Sequence, residues 1–243
     1  SIGDLIMLDI LVVGHCVHDT IILNDSTFSR LGGPPSYISW FFENLNGASR
    51  SRESFPGIHY GIISKVGPDF RYSKELPFEP MVAEVPTTHF IHHYQSSERE
   101  MKVTSVCEAI HPEDIQSESR IALIAGVIGE SPPDTLRRIL SRCDTVLCDV
   151  QGFIRKVDGE KRVHHVDLAT TEYYDLIPDI DFLRLSSSES RFVNLKDVSR
   201  KTTVLFTKGK DGCSILEKGK EFEIPTRSVP DKDPTGAGDL FLA

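Results

Sequence analysis

The chain has 243 residues, of which 39% are hydrophobic and 26% are charged, and its formal net charge is −9. This length and composition predict a single soluble domain over residues 1–243 with a substantial hydrophobic core. The acidic balance argues against nucleic acid or an anionic membrane as the main partner, and no apolar stretch reaches the ~20 residues of a membrane span. Five cysteines without Cys-x-x-Cys spacing, and a start without a basic signal region, favour a reducing, cytoplasmic location.

Strand and helix patterns alternate along most of the chain. Short apolar runs predict strands at Ile6–Val13, Ile58–Val66, Ile121–Ala125, Thr145–Val150, Phe182–Leu185 and Thr202–Thr207. Helices are predicted between them at Pro35–Leu45, Pro133–Arg142, Tyr173–Ile177 and Glu189–Val193. This alternation predicts an α/β fold, in which helices flank a doubly wound, mostly parallel sheet.

Two segments, Thr20–Leu31 and Thr87–Cys107, interrupt the alternation with polar and apolar residues in turn. Paired strands without an intervening helix predict a small β-sheet lid over a substrate site. The second segment contains three histidines. Because residues three apart on a strand face opposite sides, His89 and His92 cannot share one site, and we expect lid or surface histidines rather than metal ligands.

The C-terminal run 233–239, Asp-Pro-Thr-Gly-Ala-Gly-Asp, precedes four apolar residues. The backbone amides of Gly236, Ala237 and Gly238 can close on an anion at the start of a helix. Asp239 at that start can take a proton from a hydroxyl that attacks a phosphate. A glycine turn with a helix cap is the structural alternative for Gly-x-Gly alone, but the longer pattern predicts phosphoryl transfer.

This run resembles the signature of the ribokinase-like (pfkB) carbohydrate kinase family. The resemblance implies a ribokinase-like fold, ATP and Mg²⁺ as cofactors, and a small-molecule polyol or sugar as the acceptor. It also implies that Asp239 is the catalytic base and that the amides of Gly236, Ala237 and Gly238 hold the γ-phosphate.

The acceptor would bind beyond the carboxyl ends of the strands, as ligands do in open α/β folds. Asp19 follows the first strand there, where its alternative role is that of a solvated turn residue, and the family places a polyol-binding Asp at this point. Gly32 and Gly33 match a substrate-contacting glycine pair, whereas Tyr37 stands where the family has Asn. Gln151 replaces another Asn of the family and is a further substrate-binding candidate.

The donor side resembles the family at two turns. Ser186 stands where an Asn is usual, and Glu189 matches a Glu that organises hydrated Mg²⁺, although Ser with Glu three residues later is also a capping box. Thr207, Gly209 and Gly212 match a turn that contacts nucleotide phosphate and ribose, and an ordinary hairpin turn is the alternative.

Within the family, four segments resemble the members that phosphorylate myo-inositol: Gly14–Asp19, Gly32–Tyr37, Lys65–Tyr72 and Asp149–Arg155. The resemblance therefore implies ATP-dependent phosphorylation of a hydroxyl on myo-inositol. Fructose, ribose or adenosine remain alternative acceptors. A catalytically inactive chain is the other alternative, because only four residues follow Asp239.

Overall fold

The structure, a computed structural model, describes residues 7–24, 26–49, 57–95, 98–226 and 236–243. Its strands, in chain order, are β1 (Leu8–Val13), β2 (Val17–Leu23), β3 (Ser26–Gly32), β4 (Tyr60–Ile63), β5 (Lys65–Val66), β6 (Met81–Val82), β7 (His89–Gln95), β8 (Glu98–Ser105), β9 (Ser119–Ile124), β10 (Cys143–Asp149), β11 (Arg155–Val157), β12 (Val163–His165), β13 (Phe182–Ser186), β14 (Thr203–Thr207), β15 (Cys213–Glu217) and β16 (Lys220–Ile224). Residues 1–6 and 227–235, which include Ile6 and Asp233 to Thr235, lie outside the described ranges.

The α-helices are α1 (Pro34–Ser49), α2 (Pro133–Leu140), α3 (Gln151–Ile154), α4 (Leu195–Val198) and α5 (Ala237–Leu242). Short 3₁₀ turns occupy Ser73–Glu75, Pro112–Asp114, Leu168–Thr170, Tyr174–Asp179, Ser190–Phe192 and Gly209–Asp211. The helices predicted at 173–177 and 189–193 are therefore 3₁₀ turns, and the first of them contains Pro178, which cannot donate a helical hydrogen bond. Within the described ranges, none of the helices has the length and apolar content needed to cross a membrane.

The main sheet has the strand order β16-β15-β14-β13-β10-β9-β1-β4. The strands from β14 to β4 run parallel, and β15 and β16 extend the sheet as an antiparallel edge. The chain leaves β1 toward β4 on one side and leaves β9 toward β10 on the other. The carboxyl ends of β1 and β9 therefore form the topological switch point where such sheets bind ligands.

Both faces of this sheet are covered, which explains why its strands are continuous apolar runs. On β1, Leu11 and Val13 belong to one core cluster, whereas Ile10 and Val12 belong to the other. Successive side chains of a strand point to opposite faces, so a strand buried on both faces has no polar alternation. The second cluster includes residues of α1 and α5, and the first includes residues of α2 and α3.

A second, four-stranded sheet with the order β3-β2-β7-β8 forms the lid sheet. The central pair β2 and β7 is parallel, and each of these strands forms an antiparallel pair with the strand outside it. Val17, Phe90 and Val103 of the lid sheet cluster with Val127, which follows β9. This contact seats the lid sheet over the switch point of the main sheet.

Two small pairs complete the sheets: β5 with β6 and β11 with β12. The segment predicted as one strand over 58–66 is divided between β4, in the main sheet, and β5, in a separate pair. Ser64 lies at the division, where its hydroxyl accepts a hydrogen bond from the Cys16 amide at 2.8 Å. All five cysteines carry free thiols.

Candidate active site

Two neighbouring cavities open at the carboxyl edge of the main sheet. The lid cavity, of about 370 Å³, lies between the lid sheet and the main sheet and includes Asp19, His92 and Asp239 in its wall. The edge cavity, of about 620 Å³, lies against β14 to β16 and includes Thr207 and Phe241. The residues that line both cavities are Arg184, Ser186, Ser188 and Gly238.

Asp19 projects from β2 into the lid cavity and is 9% exposed. His92 on the adjacent strand β7 donates from Nε2 to Asp19 Oδ1 at 2.9 Å. The carboxylate can lie in this position only because residue 32 is glycine: a Cβ there would stand 2.1 Å from Asp19 Oδ2. The carboxylate is thus fixed in position by both neighbouring strands of the lid sheet.

The turn into α1 brings Gly33 and Tyr37 to the same cavity. Gly33 has φ +91°, and a Cβ there would lie 2.2 Å from the His15 carbonyl oxygen, so only glycine fits this turn. Gly236 packs against the Tyr37 ring, since a Cβ on Gly236 would approach Tyr37 Cγ to 3.0 Å. Gln151 reaches the cavity from the start of α3.

Asp239 lies in the first turn of α5, beside Gly236 and Gly238 in the wall of the lid cavity. The residue is partly buried. Loss of water and the nearby Asp149 carboxylate raise the pKa of Asp239 to about 7, against the opposing effect of Arg184. A carboxyl group with this pKa can exchange a proton near neutral pH.

Arg184, on β13, lies beneath the turn that precedes α5. Its Nη1 donates to Asp149 Oδ2 at 2.9 Å, and its Nη2 donates to Thr207 Oγ1 at 2.9 Å. A Cβ on Gly238 would stand 2.6 Å from Nη2, so the guanidinium lies directly against the glycine turn. Asp149 is the register partner of Arg184 on β10, which makes this a buried cross-strand ion pair.

Glu189 borders the lid cavity and is 4% exposed. Its Oε2 accepts from the Ser186 amide at 2.7 Å and from the Ser186 hydroxyl at 2.6 Å. Only half of the predicted capping box is therefore present, because the Ser186 hydroxyl donates to the carboxylate and does not accept from the Glu189 amide, and both bonds go to Oε2, not to Oε1. A single carboxylate oxygen suits Mg²⁺ bound through water, since this cation keeps several waters. Within the described ranges, no cluster of three or more acidic, His or Cys side chains forms a direct metal site.

Thr207, Gly209 and Gly212 line the edge cavity together with Ala237. Gly212 has φ +90°, and a Cβ there would lie 2.5 Å from the Ile224 carbonyl oxygen. The turn therefore permits close approach of backbone to a ligand and to the edge strand. Asp19, Gly33, Tyr37 and Gln151 of the predicted acceptor residues thus line the lid cavity, and Thr207, Gly209 and Gly212 of the predicted donor residues line the edge cavity, with Ser186 at the boundary. Glu189, predicted on the donor side, borders the lid cavity instead, and Gly32 lines neither cavity.

Sequence reasoning missed three residues of this region. His92 was placed among lid or surface histidines, yet it contacts Asp19. Arg184 interrupts an otherwise apolar strand, and that interruption was the available signal. Glu130 accepts hydrogen bonds from the amides of His15 at 3.0 Å and of residues 127 and 128 at 2.8 Å, and so ties together the loops after β1 and β9.

Comparison with known sequences finds the profile of the pfkB family carbohydrate kinases at residues 92–243. Inositol 3-kinase of Zea mays is 35% identical over 253 residues, which cover 97% of this chain and 65% of that protein. Inositol 3-kinase of Oryza sativa subsp. japonica is 34% identical over 96% of this chain and 61% of its own length. The chain therefore spans less than two thirds of the length of these curated relatives.

Comparison with solved structures confirms the predicted fold. A pyrophosphate-dependent kinase of the ribokinase family, complexed with a pyrophosphate analogue and myo-inositol, has a TM-score of 0.71 at 18% identity, over 95% of this chain and 83% of that one. The ribokinase of Thermotoga maritima has a TM-score of 0.67 at 16% identity, over 97% and 83%. The family profile matches more than half of the chain, and the fold agrees with that of the ribokinase family. The chain therefore belongs to the pfkB family of carbohydrate kinases.

Proposed function

We propose that this chain is an ATP-dependent phosphotransferase that phosphorylates a hydroxyl of a small polyol, with myo-inositol as the acceptor. The observation that carries the proposal is the position of Asp239, a carboxyl group of raised pKa in the wall of a polar cavity, one residue from Gly238 at the boundary with the second cavity. The two inositol 3-kinases of about 35% identity support the choice of acceptor.

The lid cavity would hold the polyol. Asp19 can accept hydrogen bonds from two hydroxyls, and its bond from His92 fixes the carboxylate for that purpose. Tyr37 offers an aromatic face to the ring, and the amide of Gln151 can donate to or accept from a further hydroxyl. A ring with a hydroxyl on every carbon suits a cavity with this many polar groups.

In the proposed reaction, an acceptor hydroxyl oxygen attacks the γ-phosphorus of ATP, and Asp239 takes the hydroxyl proton. The bond from phosphorus to the β,γ-bridging oxygen breaks, and ADP leaves with that electron pair. The amides of Gly236, Ala237 and Gly238 would donate to the oxygens of the phosphoryl group in transfer. Positioning and electrostatic stabilisation supply most of the acceleration in such reactions.

The edge cavity would hold the donor. Thr207, Gly209 and Gly212 would contact its phosphates and ribose, and Ser186 lies where the two cavities meet. Glu189 would hold Mg²⁺ through a water on Oε1. When bound, the cation neutralises charge on the donor phosphates.

The first test is Asp239→Asn. We expect kcat to fall by at least about 10²-fold, because an amide cannot take the hydroxyl proton, while polyol binding stays within about twofold. Phosphoryl transfer is followed by ³¹P NMR, with ATP and pyrophosphate supplied in parallel. Asp175→Asn, an exposed residue outside both cavities, is the control and should retain wild-type turnover. Wild-type kcat in Asp239→Asn would refute the assignment of the base.

The acceptor is tested by ligand-observed NMR with myo-inositol, fructose, ribose and adenosine in competition. We expect selective binding of myo-inositol, and we expect Asp19→Ala to abolish it. Preferential binding of one of the other three would keep the kinase class and replace the acceptor. Polyol binding without transfer from either donor would indicate the catalytically inactive alternative.

A further inference from the structure

Arg184 occupies the boundary that a transferred phosphoryl group has to cross. Of the residues that line both cavities, Arg184 is the cation, and the others are Ser186, Ser188 and Gly238. A phosphoryl group that leaves a donor in the edge cavity for an acceptor in the lid cavity passes between these residues. Arg184 is therefore placed at the point where the oxygens of that group carry their charge.

The guanidinium also lies against the turn proposed to hold the same anion. A Cβ at position 238 would stand 2.6 Å from Nη2, 3.0 Å from Cζ and 3.1 Å from Nη1. Glycine is therefore required for the guanidinium to approach the backbone of this turn. An anion held by the amides of the turn would therefore lie close to the positive charge of this guanidinium.

Arg184 donates one hydrogen bond to a carboxylate and one to a hydroxyl, so it does not form a bidentate ion pair. A purely structural Arg–carboxylate pair is frequently bidentate. Here Nη1 donates to Asp149 and Nη2 donates to the neutral hydroxyl of Thr207, so the fork is shared between two partners. A guanidinium has five N–H donors, and Nε is a buried donor for which the described residues provide no partner. The side chain is 10% exposed, and its two bonds fix its orientation.

The surroundings of Arg184 are acidic, so an anionic ligand depends on its positive charge. The nearby Asp149, Glu189 and Asp239 place up to three carboxylates around this guanidinium. A polyphosphate brought into this region meets repulsion from the carboxylates unless a cation faces it. Arg184 borders the cavities, so it can supply that charge without moving.

We propose that Arg184 binds the phosphoryl group in transfer, donating to its oxygens from beside the turn of Gly236 to Gly238, whose amides hold the same group. This inference rests on the proposed function and adds a catalytic residue that is not among the site residues predicted from the family's motifs. The alternative is that Arg184 acts only as a cross-strand partner of Asp149 and holds β10 against β13.

The test measures binding of inorganic tripolyphosphate with Mg²⁺ by isothermal titration calorimetry, which requires no turnover. We expect Arg184→Gln to weaken binding by at least about tenfold and Arg184→Lys to have an intermediate effect, since lysine keeps the charge without the fork. Arg162→Gln is the matched control. It removes a guanidinium that is also paired with a carboxylate, Asp158, at 3.0 Å, but that lies outside both cavities, so we expect less than about a twofold change.

The double variant Arg184→Gln/Asp149→Asn separates the two roles. Removing both partners leaves no unpaired buried charge, so it should restore much of any stability that the single variant loses. If Arg184 is only a partner of Asp149, the double variant recovers wild-type tripolyphosphate affinity, and the inference is overturned. We expect the double variant to be folded but to bind tripolyphosphate as weakly as Arg184→Gln. Tripolyphosphate binding that is absent in the wild type, or unchanged in Arg184→Gln, would also overturn it.

Turnover with myo-inositol reports on the proposed function separately. In the active protein, Arg184→Gln should lower kcat and raise the donor KM, with the polyol KM within about twofold of wild type. If Arg184→Gln loses tripolyphosphate binding and the wild-type protein phosphorylates no polyol, the result would support the anion site and refute the proposed acceptor. Wild-type turnover and donor KM in Arg184→Gln would refute the inference and leave the proposed function intact.

Discussion

The raised pKa of Asp239 sets the pH dependence expected of the reaction. Burial and Asp149 raise this pKa to about 7, with a smaller contribution from Asp19, and Arg184 and Arg155 oppose the rise. A base acts in its deprotonated form, so kcat should fall as the pH is lowered through about 7 and level off above it. The measurement is kcat between pH 5.5 and 9 at saturating substrates. Polyol binding measured over the same range is the control, and a flat kcat profile would contradict the prediction.

The same shift predicts that the base destabilises the folded protein at alkaline pH. Between the ordinary aspartate pKa of about 4 and the raised value of about 7, the folded chain holds a proton that the unfolded chain has lost, so stability falls as the pH rises. Asp239→Asn removes this dependence. We expect the variant to exceed the wild type in unfolding free energy by on the order of 2 kcal/mol at pH 8, and to differ little near pH 4. Urea unfolding at pH 4 and pH 8 measures the difference in unfolding free energy between the variant and the wild type. The same difference at both pH values would contradict the prediction.

The contact between His92 and Asp19 predicts a role for the lid in acceptor affinity. His92→Ala leaves Asp19 Oδ1 without its 2.9 Å hydrogen bond, so the carboxylate can rotate away from the polyol. We expect polyol affinity to fall by about tenfold, since a hydrogen bond to a charged group contributes about 1.5–3 kcal/mol. His93→Ala is the control, because neighbouring residues of a strand face opposite sides of the sheet. Calorimetric titration of both variants with the polyol measures their affinities. Equal losses of affinity in His92→Ala and His93→Ala would refute a specific role for His92.

The residues of the lid cavity show what a sequence can and cannot predict. Asp19, Gln151 and Asp239 each follow a strand or a glycine turn, and they were predicted because the short motifs around them resemble those of the family. The contact of His92 depends on the parallel register of β2 and β7, in which Asp19 pairs with Phe90. Register between strands separated by about 70 residues is a non-local property that no local pattern contains.

At the scale of elements, the turn from β3 into α1 couples the lid sheet to the main domain. Gly32→Ala would place a methyl group 2.1 Å from Asp19 Oδ2, so the carboxylate has to leave its position. We expect polyol affinity to fall by at least about tenfold, with stability reduced by roughly 1–3 kcal/mol from overpacking.

Gly47→Ala is the matched control for this substitution. It lies in α1, where an added Cβ meets no atom within 4 Å, and alanine should stabilise the helix by up to about 1 kcal/mol. Polyol titration and thermal unfolding of both variants test the pair. Unchanged polyol affinity in Gly32→Ala would show that Asp19 does not need the position it has here.

The elements themselves were predictable in type more than in extent. The predicted helix at 35–45 begins one residue earlier and continues to Ser49, because its prolines mark a start but no residue marks the end. The lid strands predicted at 20–31 and 87–107 are two hairpins, Val17–Leu23 with Ser26–Gly32 and His89–Gln95 with Glu98–Ser105. Alternation indicates strands, whereas hairpin turns and pairing set where each one begins.

At the scale of the molecule, strand order brings the two cavities together. The residues proposed to bind the donor lie at the ends of β13 and β14 or in the turn after β14, and those proposed to bind the acceptor follow β10, lie in α1 or come from the lid sheet and its turn into α1. Most of these strands are far apart in the chain, yet their carboxyl ends meet at one edge because they run parallel in the main sheet. The alternation of strands and helices predicted this class of fold, whereas the antiparallel β15 and β16 edge depends on pairing that the local pattern did not reveal.

Because the lid cavity is built from both sheets, its ligand should stabilise the whole molecule. A polyol held by Asp19 and His92 of the lid sheet and by Gln151 and Asp239 of the main domain binds the assembled fold and not the unfolded chain. At 100 times its Kd, such a ligand contributes about 2.7 kcal/mol, which corresponds to a rise in Tm of roughly 5–10 °C for a domain of this size.

We therefore expect myo-inositol to raise Tm in the wild type but not in Asp19→Ala, and to slow amide exchange in β2 and β7 more than in β16, which borders only the edge cavity. Scyllo-inositol, which has the same composition with a different arrangement of hydroxyls, tests whether the cavity discriminates configuration. A Tm rise of the same size in Asp19→Ala would place the ligand outside the lid cavity. Protection confined to the main sheet would show that the lid takes no part in holding the acceptor.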